Sequence, residues 1–120
     1  MRKLDELIPL AINATESTIQ KDGKIPKEYQ GYASSFGVSA REGLKPAIAF
    51  FENKNAASQQ DRAKLMKAIL IIVCEYRGVD DVPDTLMEYV LSFHDQDLVE
   101  QDILEAATAL KLVIRTFKLI

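Results

Sequence analysis

At 120 residues, with 48% apolar side chains, the chain is the right size for one domain whose single core needs neither disulfides nor metals. Its lone cysteine, Cys74, closes the apolar run Ala68-Ile69-Leu70-Ile71-Ile72-Val73-Cys74, which excludes an intramolecular disulfide, reads as core and suits a reducing compartment. A net charge of −3 argues against a free-standing nucleic-acid binder held by bulk charge.

Spacings of three and four between apolar residues recur while strict alternation is scarce, so the sequence predicts an all-α chain, a single-domain bundle of about six helices spanning residues 1–120. The first helix carries Leu4, Leu7, Ile8, Ala11, Ile12, Thr15 and Ile19 on one stripe and is expected to end at the Asp22-Gly23 turn. Pro9 should kink it or mark an early N-terminal turn. A second, short helix is expected after Pro26, with Tyr29, Tyr32, Ala33 and Phe36 on its face and Gly37 as its end. Ser39 is a plausible cap for a third helix, where Leu44, Ala47, Ile48 and Phe51 recur at helical spacing from Gly43 to Phe51.

Asn53 to Ser58 reads as a polar loop. Gln59 to Tyr76 is the most apolar helix, with Leu65, Ile69, Ile72 and Tyr76 on one side and Met66, Leu70 and Val73 beside them, and is expected to lie centrally and buried. An acidic turn from Gly78 to Pro83 leads to a short helix from Asp84 to about Phe93, and a last helix is expected from Asp95 to Lys118. On that helix Lys111, Arg115 and Lys118 would share the face opposite the apolar stripe.

No apolar run approaches the roughly 20 residues a spanning helix requires. Asp5, Glu6 and Pro9 interrupt what would have to be a signal segment, so the expected location is the cytoplasm. Catalysis finds little to work with. His94 is the single histidine, so metal hydrolysis would rest on carboxylates alone. Asp80, Asp81 and Asp84 lack the spacing of a calcium loop, and Gly37 and Gly43 lack the strand and the Lys-Ser or Lys-Thr of a phosphate loop. The expectation is a protein that is not an enzyme and uses neither cofactor nor metal.

Charge along the chain is segmented. Up to Cys74 there are 11 Lys and Arg against 8 Asp and Glu, from Glu75 to Glu105 one against 10, and from Ala106 onward three against none. A fold joining the basic start and end would present one positive and one negative face.

Within residues 24–54, the step Gly43-Leu44 followed by Pro46-Ala47, Ala49-Phe50 and a closing Lys54 resembles the internal motif of the small-subunit family of Cmr complexes, the type III-B CRISPR RNA-targeting effectors. Leu7-Ile8-Pro9 with Ala11, and Glu105-Ala106, Ala109-Leu110 and Ile114-Arg115, are similar to the family's opening and closing helices. The family often carries a tryptophan and a Lys-Arg pair in its last helix, where this chain has Val113-Ile114-Arg115 and no Trp. The resemblance implies a non-catalytic subunit that helps assemble the effector and holds guide and target RNA while other subunits cut. Its implied partners are the backbone and large subunits, adjacent copies of itself and the two RNAs, with no membrane; a monomer is expected in isolation.

Phosphate tracking requires spaced cations, since each neutralised phosphate releases condensed counterions. Lys24, Lys27, Arg41, Lys45 and Lys54 fit this need near helix starts and loops, with Lys64 and Lys67 as a second set and Lys111, Arg115 and Lys118 as a third. Asp80, Asp81 and Asp84 are the candidate subunit interface. Tyr29, Tyr32 and Phe36 have base-stacking chemistry, but their spacing is that of a core stripe. The alternative from the residues alone is a helical adaptor that binds proteins and no RNA, through a groove around the Gly43 to Phe51 helix.

Overall fold

The computed structural model describes residues 2–53 and 59–119. In chain order these form α1 (Arg2–Thr18), β1 (Lys24–Ile25), α2 (Glu28–Glu42), α3 (Leu44–Glu52), α4 (Gln59–Arg77), α5 (Leu86–Leu91), α6 (Gln96–Ile114) and β2 (Lys118–Leu119). The fold is all-α. Helices α4 and α6 touch each other, both contact α1 and α2, and α3 and α5 pack onto α4. No described helix is long and apolar enough to cross a membrane.

The run that made α4 the expected centre is buried along its length: Leu65, Met66, Ala68, Ile69, Leu70, Ile72, Val73 and Cys74 are within 1% of full burial. At about 1.5 to 3 kcal/mol for each large aliphatic side chain, this helix is the largest contributor to the core.

Several helix ends fall elsewhere than the sequence suggests, each for a local reason. Helix α1 passes through Pro9, which lies on its exposed side, and stops at Thr18 rather than at the Asp22-Gly23 turn. There the Ser17 and Thr18 hydroxyls donate to the Ala14 carbonyl at 3.1 and 2.6 Å, and the Ile19 and Gln20 N–H groups both converge on the Thr15 carbonyl. Such side-chain competition for backbone acceptors weakens the next helical turn. Helix α2 does not end at Gly37 but continues to Glu42, because Ala33, Phe36 and Ala40 keep burying its inner face. Ser39 is therefore interior to α2, not a cap, and Gly43 in extended backbone separates α2 from α3.

Helix α6 ends at Ile114, short of Lys118. The Thr116 hydroxyl and N–H both bond to the Val113 carbonyl, at 2.7 and 2.9 Å, and the chain then extends into β2. Strand β2 pairs in parallel with β1, with Lys24 beside Lys118 and Ile25 beside Leu119. This pairing was not visible in the sequence, and it takes Lys118 off the helical face expected to hold it with Lys111 and Arg115.

Candidate nucleic-acid interface

The β1–β2 pair brings basic residues from both ends of the described chain together. Lys24 is flanked by Lys118 in the parallel pair and by Lys21 in an antiparallel bridge. The Lys21 and Lys24 backbones exchange hydrogen bonds of 2.8 and 3.0 Å. Asp22 and Gly23, at φ 54° and 76°, make the tight turn between them, a backbone that glycine adopts readily and aspartate tolerates. The neighbouring Ile25 is fully buried and pins the strand, while Lys21, Lys24 and Lys27 are exposed. Arg115, exposed, caps α6 just before β2, with the half-buried Lys111 one turn earlier. Within the described residues, none of Lys21, Lys24, Lys27, Lys111 and Arg115 is held in an ion pair. Lys21 was not among the sequence candidates; the signal that could have found it is its position across a predicted turn from Lys24.

The other candidates are dispersed. Arg41, in the last turn of α2, borders an open groove of about 440 Å³ whose α6 wall carries Asp97, Glu100 and Glu105. Lys45 is exposed in the first turn of α3. Lys64 and Lys67 line a larger groove, about 530 Å³, together with Glu52 and Asp84. Glu52 there accepts the Leu86 N–H at 2.8 Å and tethers α3 to the start of α5. Lys54 lies outside the described residues. Asp80, Asp81 and Asp84 are all exposed in the connection between α4 and α5, with Asp84 facing the two lysines of the larger groove.

The aromatic stripe of α2 is mostly core, as its spacing suggested: Tyr29 is 1% and Phe36 0% exposed. Tyr32 is half-buried, and the Arg62 guanidinium stands 5.0 Å from its ring centre and 5.5 Å from that of Phe50. Phe50 is the large aromatic left most open, at 56% exposure, in keeping with its place outside the stripe of Leu44, Ala47, Ile48 and Phe51.

The strongest electrostatic feature also escaped the sequence. Asp102, in the middle of α6 and 4% exposed, accepts from Lys3 Nζ at 2.5 Å and from Arg77 Nε and Nη2 at 2.7 Å each. Lys3 also pairs with Glu105 at 2.8 Å. Burial pushes the Asp102 carboxyl up, but the Arg77 and Lys3 hydrogen bonds and charges outweigh it and hold the group below its usual range. Burial likewise opposes the charge on Lys3, and the two carboxylates overcome it; Arg77 is held charged chiefly by its hydrogen bonds to Asp102. The cluster ties the start of α1 and the end of α4 to α6. It is a clamp in which Lys3 and Arg77 occupy both Asp102 oxygens, not a free binding site.

Among the described residues no group of three His, Cys, Asp or Glu side chains converges as a metal site, and His94 is exposed. What the described surface offers is a set of exposed or half-buried cations, Lys21, Lys24, Lys27, Lys111 and Arg115, outside any ion pair. Comparison of the chain with family models, with curated proteins and with solved structures finds no match.

Proposed function

We propose that this protein is a non-catalytic small subunit of a type III-B CRISPR (Cmr) ribonucleoprotein effector, in the cytoplasm, helping assemble the complex and hold guide and target RNA during RNA-guided cleavage of the target. The observation that carries the reading is the motif Gly43-Leu44, Pro46-Ala47, Ala49-Phe50, the residues on which the family resemblance rests. The exposed, unpaired cations at the β1–β2 end are consistent with it, since an RNA-holding subunit needs backbone contacts and leaves sequence to base pairing. Few contacts per copy give weak binding alone and useful binding when multiplied along an assembly. Backbone and large subunits, neighbouring copies and the two RNAs are the partners this role requires.

The deciding experiment is affinity purification of a tagged copy from its native host at low salt, identifying co-purifying proteins and nucleic acid. Repeat-derived guide RNA with RAMP-type backbone subunits is the expected recovery. Protein partners without RNA would instead favour the adaptor reading, for which the specific observation is the exposed Phe50 in an open groove lined by Ser39, Glu42, Gly43 and Pro46. Within the assembled complex, Lys24→Glu with Arg115→Glu should weaken target-RNA retention and lower its log–log salt slope by about two. Arg41→Glu with Lys45→Glu should do less, because the groove that Arg41 borders already carries acidic side chains. RNA retention unchanged by the first pair would remove the β1–β2 end from the interface.

A further inference from the structure

Helix α6 runs 19 residues, about 28 Å, and buries a continuous arc from Val99 through Ile103, Ala106 and Leu110 to Ile114. The opposite arc is exposed to half-buried, with Glu105 on it held by Lys3. On it Leu98 is 40% and Leu112 39% exposed, Asp97 and Arg115 are exposed, and Glu100 and Lys111 are half-buried.

A rotation of roughly 100° per residue sorts these six side chains into three lines. Asp97 and Arg115 lie along the middle, Leu98 and Leu112 along one flank, and Glu100 and Lys111 along the other. Turning the helix end for end about a point between Glu105 and Ala106 exchanges the members of all three pairs, to within about one residue of register. Acid then meets base on two lines and aliphatic meets aliphatic on the third. The helix dipole favours acids in a first turn and bases in a last, but it asks nothing of the two exposed leucines and does not set a common centre for the three pairs.

We propose that this face docks on the same face of a second copy of the chain, the two α6 helices antiparallel across a two-fold axis. Each copy's Asp97 and Glu100 then stand opposite the other's Arg115 and Lys111, and each Leu98 packs against the other's Leu112. Such an isologous contact uses one patch twice and closes at a dimer. Among the described residues, Asp97, Glu100, Lys111 and Arg115 take part in no ion pair within their own chain, so all four are available. The open groove beside the acidic half, walled by Gln101, Leu104 and Thr108 with Arg41 at its edge, gives the second helix a place to set its ridge. A single helix face is small beside the roughly 800 Å² per partner of a lasting complex. The dimer therefore forms at high concentration and exchanges, and dilute chains are monomeric. The contact is independent of the RNA reading, although it uses Lys111 and Arg115, which RNA would also use.

Sedimentation equilibrium of the full chain without nucleic acid, from micromolar to millimolar concentration, tests this directly. The expected result is a monomer–dimer equilibrium weakened by salt. Asp97→Lys alone or Arg115→Glu alone should weaken it about tenfold, since each reversal strikes two symmetric contacts of modest strength. The double variant Asp97→Lys with Arg115→Glu should return it to within about threefold of wild type. Circular dichroism of each variant separates lost association from lost folding. A chain monomeric at millimolar concentration, association that grows beyond a dimer, or a double variant no better than the worse single one would each overturn the proposal.

Discussion

Replacing Asp102 by asparagine keeps the volume and removes the charge on which Lys3 and Arg77 converge, so it isolates the clamp at the centre of α6. Breaking a buried ion pair from one side typically costs about 3 to 5 kcal/mol, because a charge is stranded. Here the cations sit nearer the surface, with side-chain exposures of 20% for Lys3 and 37% for Arg77 against 4% for Asp102. Both can regain water, which discounts the loss to about 2 to 3 kcal/mol at neutral pH. Urea unfolding followed by far-ultraviolet circular dichroism would show this as a lower midpoint at an unchanged slope. The pH dependence adds a second, sharper signature. The Asp102 carboxyl is more acidic folded than its ordinary value of 3.8, so protonation favours the unfolded chain. Its contribution is complete above that ordinary value and disappears as pH falls through the depressed folded one. Wild type and Asp102→Asn should therefore converge in stability as the pH is taken well below 4. A variant within about 0.5 kcal/mol of wild type at pH 7, the size of an ordinary surface change, or a gap that persists undiminished into strong acid, would refute the clamp.

Two further outcomes concern a buried and a turn position. Burial pushes the Cys74 thiol up, against a smaller opposing pull from Lys67, and leaves it 1% exposed; a thiol reagent should label it only at the rate of unfolding, and labelling at the rate of a free peptide under native conditions would show that α4 is not where the core sits. Gly78 closes α4 at φ 70°, and a Cβ added there would meet only open space, so Gly78→Ala should cost about 1 kcal/mol in thermal or urea unfolding through backbone strain alone, and a neutral result would mean that the turn relaxes.

The helical content was legible because the apolar spacing that wraps a core is local: α3, α4 and α5 lie within a few residues of where Leu44 to Phe51, Ile69 and Tyr89 put them. Helix ends were less legible because they are decided by competition. Gly37 has every attribute of a terminator, yet Ala40 still finds a buried place one turn on, and burying it favours continued helix over the left-handed stop that glycine permits. At the ends of α1 and α6 the Thr18 and Thr116 hydroxyls bond to carbonyls four and three residues back, but Thr108 makes the same bond to the Leu104 carbonyl inside α6 and the helix continues, so a threonine alone does not announce a stop. The β1–β2 pair joins segments more than ninety residues apart, and no local pattern announces a two-residue strand.

The charge pattern was legible as a distribution but not as a set of contacts, and the difference bears on function. Counting along the chain placed Asp102 in an acidic segment and Lys3 in a basic one, as though each were free to face a partner. Folding spends them on each other, and Arg77, the lone base of its segment, joins them. The charges that remain for outside partners are those the fold leaves unpaired at its margins. Lys21 and Lys24 stand at the strand pair, and Asp97, Glu100, Lys111 and Arg115 stand along the open arc of α6. Lys111 and Arg115 belong to both groups of proposed contacts. An RNA strand that covered them would remove the bases on which two α6 helices depend, so self-association in the free protein and RNA holding in an assembly become alternative uses of one surface rather than additive ones.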